Sequence, residues 1–164
     1  MARYEQLSVT ELTLDGVVIT ASGTELNLAA DNSANVETVT ATNAITAAES
    51  GKTFFLNSAT EFVSTLPAVA AGLRYSFVVT GAPSGASYTI VTTSSSNVIK
   101  GQVYTVDVNS VTDPDFEITG GDTISFVDAK AVAGDRVDVI CDGTNWFAYG
   151  FCSVFDAITI TTAS

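Results

Sequence analysis

The densest run of chemically capable side chains is Asp113-Pro114-Asp115-Phe116-Glu117, which sets three carboxylates at alternate positions, with Asp122 and Asp128 following. Paired carboxylates hydrolyse glycosidic bonds when they stand about 5–9.5 Å apart across a cleft. Asp113 and Asp115 are the residues such chemistry would use. The same hard oxygen donors suit Ca²⁺, but the run lacks the Gly and the ligand spacing of an EF-hand. A solvated acidic turn is therefore the expectation, with no catalytic residue, metal or cofactor. Nucleophilic catalysis is restricted further, because the chain has no histidine and can form neither a Ser-His-Asp nor a Cys-His arrangement.

Cys141 and Cys152 are the two cysteines. Arg136 is the only cation near them in sequence, so little lowers their pKa, and two thiols without histidine make an incomplete zinc site. Both lie in the stretch GDRVDVICDGTNWFAYGFC, residues 134–152. Val137, Val139 and Cys141 alternate with Arg136, Asp138 and Ile140; Trp146, Ala148 and Gly150 alternate with Phe147, Tyr149 and Phe151. That period predicts two strands, joined at Asp142-Gly143-Thr144-Asn145, where Asp-Gly accepts a tight reversal and Asn145 can cap the turn. Cys141 then faces Trp146 and Cys152 falls opposite Asp135. The thiols are too far apart along the hairpin for the ~4.4–6.8 Å between Cα atoms that a disulfide tolerates. Trp146 reads as a core anchor. Its face opposes Phe147, Tyr149 and Phe151, so one apolar face meets a second sheet and an exposed one would meet another subunit.

The elements holding these residues are strands. Thr, Ser, Val and Ala dominate, hydrophobic residues make up 46% of the 164 positions, and no long stretch has helical periodicity. From Gly51 onward, short strands are predicted at 53–56, 61–66, 75–80, 88–92, 103–108, 115–118, 123–127, 137–141 and 146–152. Pro67, Gly72, Gly81-Ala82-Pro83-Ser84-Gly85, Asp113-Pro114 and Gly120-Gly121-Asp122 punctuate them. The expected class is all-β, an antiparallel, jelly-roll-like β-sandwich. Ile158-Thr159-Ile160 adds a last strand that either completes the sandwich or pairs with a neighbour's edge.

Residues 1–50 differ in kind, with no proline and no aromatic after Tyr4. Ser8-Val9-Thr10-Glu11-Leu12-Thr13-Leu14 returns 14 residues later as Ser22-Gly23-Thr24-Glu25-Leu26-Asn27-Leu28. Each copy could open a short helix or be extended. Apolar residues are too few for this segment to bury a core of its own. The expected division is therefore an extended N-terminal arm and linker, 1–50, with a strand near Val36–Val39, and a sandwich domain, 51–164. Leu12, Leu14, Val17, Ile19, Leu26 and Leu28 of the arm, Phe147, Tyr149 and Phe151 of the hairpin, and Ile158 and Ile160 of the tail are the candidate interaction residues. An arm folded back on its own domain is the alternative.

Eighteen acidic residues against six basic ones leave a net charge of −12, which argues against nucleic acid as a partner. No run approaches the ~20 apolar residues of a membrane helix, and the first residues, MARYEQLSVTELTL, lack the apolar core of a signal peptide. Synthesis in a cytoplasm and no membrane contact are expected. Tyr75, Tyr88, Tyr104, Trp146, Phe147 and Tyr149 supply the competing reading, a platform for sugar rings, although alternation should bury about half of them.

The order of these features resembles the small β-sandwich domain of phage head-decoration proteins and of head or tail fibres. Leu66-Pro67, Gly72, Tyr75, Phe77, Asp142, Gly143, Thr144 and Trp146 carry the likeness, and Thr24-Glu25-Leu26-Asn27-Leu28 is similar to a repeat of phage structural proteins, with its Leu-Asp-Gly portion displaced to Leu14-Asp15-Gly16. The resemblance implies a bacteriophage virion protein that cements the outer surface of an icosahedral capsid. It would be a homotrimer bound to the major capsid protein; a fibre or glycan-binding module is the alternative it leaves open.

Overall fold

The computed structural model describes residues 12–20, 22–25, 32–106 and 118–162. The chain divides into an N-terminal unit, Met1–Ala34, and a body, Asn35–Ser164.

In the N-terminal unit, β1 (Leu12–Leu14) and β2 (Val17–Ile19) form an antiparallel hairpin with Leu12 opposite Ile19 and Leu14 opposite Val17. The two residues between them, Asp15 and Gly16, both have positive φ, 49° and 79°. That is the geometry of a two-residue turn matching the twist of the strands, and Asp-Gly is a sequence that adopts it at low cost. Of the second copy of the repeat, residues 22–25 are described. Residues 23–25 are helical, and Ser22 and Glu25 form a reciprocal cap: the Ser22 N–H and hydroxyl donate to the Glu25 carboxylate at 2.6 and 2.7 Å, and the Glu25 N–H donates to Ser22 Oγ at 3.2 Å.

The body is an all-β sandwich of two mixed sheets. Its strands are β3 (Val36–Val39), β4 (Asn43–Ala44), β5 (Thr53–Leu56), β6 (Phe62–Thr65), β7 (Arg74–Val79), β8 (Tyr88–Val91), β9 (Ile99–Thr105), β10 (Ile118–Gly121), β11 (Thr123–Phe126), β12 (Arg136–Cys141), β13 (Trp146–Cys152) and β14 (Ile158–Thr161). One sheet has the order β10-β9-β13-β12-β7-β5-β3, the other β14-β11-β8-β6-β4. From β3 to β8 the chain changes sheet after every strand. Two strands of one sheet separated by an excursion through the other run the same way, so β3-β5-β7 and β4-β6-β8 are parallel ladders. The uniformly antiparallel pairing expected from the turns is replaced here by a winding, and β9 beside β13 is parallel as well.

The body also begins earlier than residue 51. β3 pairs with β5, the Ile45 N–H bonds the Thr65 carbonyl at 2.9 Å, and Val39 and Ile45 are buried. Residues 36–50 are therefore structural rather than linker. Glu49 helps hold them. Its carboxylate accepts from the Thr46 N–H and hydroxyl, both at 2.8 Å, and meets Lys52 Nζ at 3.1 Å, while Lys52 reaches Glu37 of β3 at 2.8 Å.

Phe54, Phe77, Tyr75 and Trp146 form a continuous chain of rings on the inner face of the larger sheet, with centroids 5.4 to 6.1 Å apart. Phe62 stacks on Tyr88 at 4.5 Å in the other sheet. The Tyr88 hydroxyl donates to the Ser58 carbonyl at 2.7 Å and accepts from the Ser58 N–H at 3.1 Å, which satisfies a phenol buried to 0% exposure. Gly101 sits within β9 because a Cβ there would run into the Ala148 carbonyl of β13.

Two consequences are measurable. Gly101→Ala should lower the unfolding free energy in urea by about 2–4 kcal/mol, whereas Gly120→Ala, with no neighbour nearer than 3.6 Å, should change it by less than about 1 kcal/mol. Burial opposes ionisation of Glu49, but the Thr46 and Lys52 contacts prevail and bring its pKa from 4.5 down to about 2. A depressed carboxyl stabilises the fold above its unfolded pKa, so this contribution is complete above pH 4.5 and disappears as pH falls towards 2. Acid unfolding followed by circular dichroism should be less steep over that interval in Glu49→Gln.

Candidate functional site

The β12–β13 hairpin pairs Cys141 with Trp146 and Arg136 with Phe151, the register its alternation predicts. Asp142 holds its turn together with Asn145: Asp142 Oδ1 accepts from the Asn145 and Thr144 N–H groups, both at 2.7 Å, the Asn145 side chain also bonds the carboxylate, and these bonds hold the carboxyl below the ordinary aspartate range. Gly143, at φ 101°, supplies the reversal. Cys141 and Cys152 are free and buried, and burial pushes the Cys152 thiol up.

The hairpin separates its two aromatic sets. Trp146 and Ala148 are fully buried in the sandwich, while Tyr149 and Phe151 are 50% and 54% exposed on the outside of the larger sheet, with Phe147 half-buried beside them. Neighbouring strands extend that outer face. Phe147 lies between Ile140 of β12 and Lys100 of β9, and Phe151 between Arg136 and Tyr104. Tyr104 and Phe151 stack at 5.7 Å with 22° between their planes. Ile140 is 54% exposed and sits opposite Arg74 of β7. Arg136 bonds Asp138 at 2.6 Å, and Asp138 accepts from Ser76 Oγ at the same distance. Beside this pair a hollow of about 300 Å³ opens between Lys52, Arg74, Asp138 and Ile140.

Of the other expected interaction residues, Leu12, Leu14, Val17 and Ile19 lie in the N-terminal hairpin, and Leu26 and Leu28 lie outside the described residues. Ile158 and Ile160 are corrected to core. β14 pairs with β11 at the margin of the smaller sheet, and both side chains turn inward to 3% and 7% exposure. The aromatic platform is also reduced: Tyr75, Tyr88 and Trp146 belong to the core, leaving Tyr104, Phe147 and Tyr149 outside, joined by Phe151. Ile140, Lys100 and Arg74 complete the face. Alternation within one strand does not mark them; the cross-strand register through Phe147 is what places them there.

Asp113, Asp115 and Glu117 lie outside the described residues. Asp128 ties two loops together, accepting from the Gly85 N–H at 2.8 Å while its own N–H donates to Ser87 Oγ at 3.0 Å. Asp122 is buried and accepts from the Thr123 hydroxyl at 2.8 Å. Among the described residues, no three His, Cys, Asp or Glu side chains are grouped as metal ligands.

The fold and this face define an all-β sandwich that presents an aromatic sheet surface to its surroundings. Compared with protein-family models, curated proteins and solved structures, the chain finds no match in any of the three.

The two faces of β13 should respond oppositely to truncation. Trp146→Ala should cost about 3–5 kcal/mol in urea unfolding, and Phe151→Ser less than about 1 kcal/mol.

Proposed function

We propose that this protein is a structural component of a bacteriophage virion, a decoration or cement protein that acts by adhesion and performs no chemistry. In this reading it occupies the outer surface of an icosahedral capsid as a trimer, where it bridges copies of the major capsid protein. The observation that carries the reading is the outer sheet face: exposed Tyr104, Ile140, Tyr149 and Phe151 on the side of a sandwich whose interior is already filled. A soluble surface rarely leaves large apolar groups together unless something covers them. In this reading the face is covered within the trimer, and modest coat contacts elsewhere on each copy, repeated through that trimer, bind a lattice strongly because each attachment raises the effective concentration of the next. The N-terminal hairpin, β1–β2, adds a second contacting element.

The stacked Tyr104–Phe151 pair favours one other reading, a fibre or receptor module that binds glycans on its aromatic rings. Electron microscopy of assembled particles separates the two. Decoration places density for the protein at repeated positions over the shell lattice. Density confined to a vertex or a tail tip would remove the cement reading, and specific retention on a glycan array, weakened by Tyr149→Ser, would establish the other.

A further inference from the structure

The outer face of the larger sheet is unlike the rest of the chain in charge. Arg74, Lys100 and Arg136 all lie on it, three of only six cations in a protein of net charge −12. Asp138 neutralises Arg136, and Asp142 of the adjoining turn lies within electrostatic reach of Lys100. Arg74 and Lys100 form no ion pair among the described residues. They occupy the two ends of one row across four strands, Lys100–Phe147–Ile140–Arg74, about 14 Å long at the usual strand spacing. A cation thus stands at each end of an apolar centre.

That arrangement disfavours a symmetric face-to-face dimer. A two-fold axis lying in the interface and centred on this row would set Lys100 against either Lys100 or Arg74, and each case juxtaposes like charges beside desolvated apolar groups. The complementary surface is an acidic one, and the remainder of this chain is strongly acidic. The sheet face measures about 29 Å by 20 Å from its strand number and length, an extent comparable to one side of a small interface.

We infer that this face is a docking surface for a second copy of the chain, engaged head to tail: the row Lys100–Phe147–Ile140–Arg74 of one copy packs on an acidic surface of the next. A contact between two different surfaces closes into a ring when its rotation permits, and three copies is the ring that the proposed function requires. The inference rests on that reading for the number three, and on the charge and exposure of the face for the contact itself.

Sedimentation equilibrium of the full chain tests it, at about 50 mM and about 500 mM salt. The wild-type chain should form a closed oligomer that weakens at the higher salt. Lys100→Glu and Arg74→Glu should each weaken association by about 100-fold, and Phe147→Ser should do so without altering the salt dependence. Lys130→Glu, which changes net charge equally at a turn where Lys130 meets Asp156 at 3.7 Å, should leave the oligomer intact. Near-ultraviolet circular dichroism of buried Trp146 checks that each variant is folded. A monomeric wild-type chain overturns the inference, as does an oligomer that survives all three face variants. If these variants abolish binding only to coat protein or only to an anionic glycan, the occupant is not a second copy and the inference falls. Particle binding by the wild-type chain is measured separately: its absence sinks the cement reading even if the oligomer forms as described.

Discussion

A strand can bury only every second side chain, and in this protein the buried set is large enough that no single sheet could cover it. Phe54, Phe77, Tyr75 and Trp146 require a second layer, and Phe62, Tyr88, Ile90, Ile124 and Phe126 provide it. Burying each large ring contributes on the order of 2–3 kcal/mol, against backbone ordering of comparable size per residue or two, so both layers must close for either to persist. The winding from β3 to β8 is a consequence of this. By crossing to the opposite layer after each strand, the chain extends both sheets together and never leaves one uncovered.

The same constraint explains which parts of the architecture are legible from residue order. Alternation marks the strands well: 53–56 and 146–152 coincide with β5 and β13, and most others agree within a residue or two. Pairing direction is not legible, because a turn after Leu66-Pro67 looks the same whether the chain returns to its own sheet or crosses to the other. The strand expected at 103–108 misses the beginning of β9, which contains Gly101; what occupies the place of its side chain is the Ala148 carbonyl, a neighbour 47 residues away in sequence. Residues 36–50 look like a linker because an edge segment needs only Val39 and Ile45 inside.

For the candidate site, period-2 alternation separates Trp146 from Phe147, Tyr149 and Phe151 but cannot say which set faces inward, since both are aromatic. Cross-strand neighbours decide it, and these also supply Ile140, Lys100 and Arg74. In Ile158 and Ile160 the apolar character is plain from the residues, while the partner that consumes it, β11, is not. Asp15-Gly16 makes the tight turn of the N-terminal hairpin, and Ser22 with Glu25 forms a capped helical start.

The parallel ladders β3-β5-β7 and β4-β6-β8 each gain one strand with every circuit of the chain, while the stretches between strands differ in length without disturbing the pairing. β3 and β4 are the outermost strands of the two sheets on the side where the winding starts. An added circuit at that margin would lengthen both layers at once and leave β12, β13 and the aromatic exterior untouched. Such a scaffold can vary in girth through whole-circuit duplications in its lineage, and a protein engineer could enlarge it in the same increments.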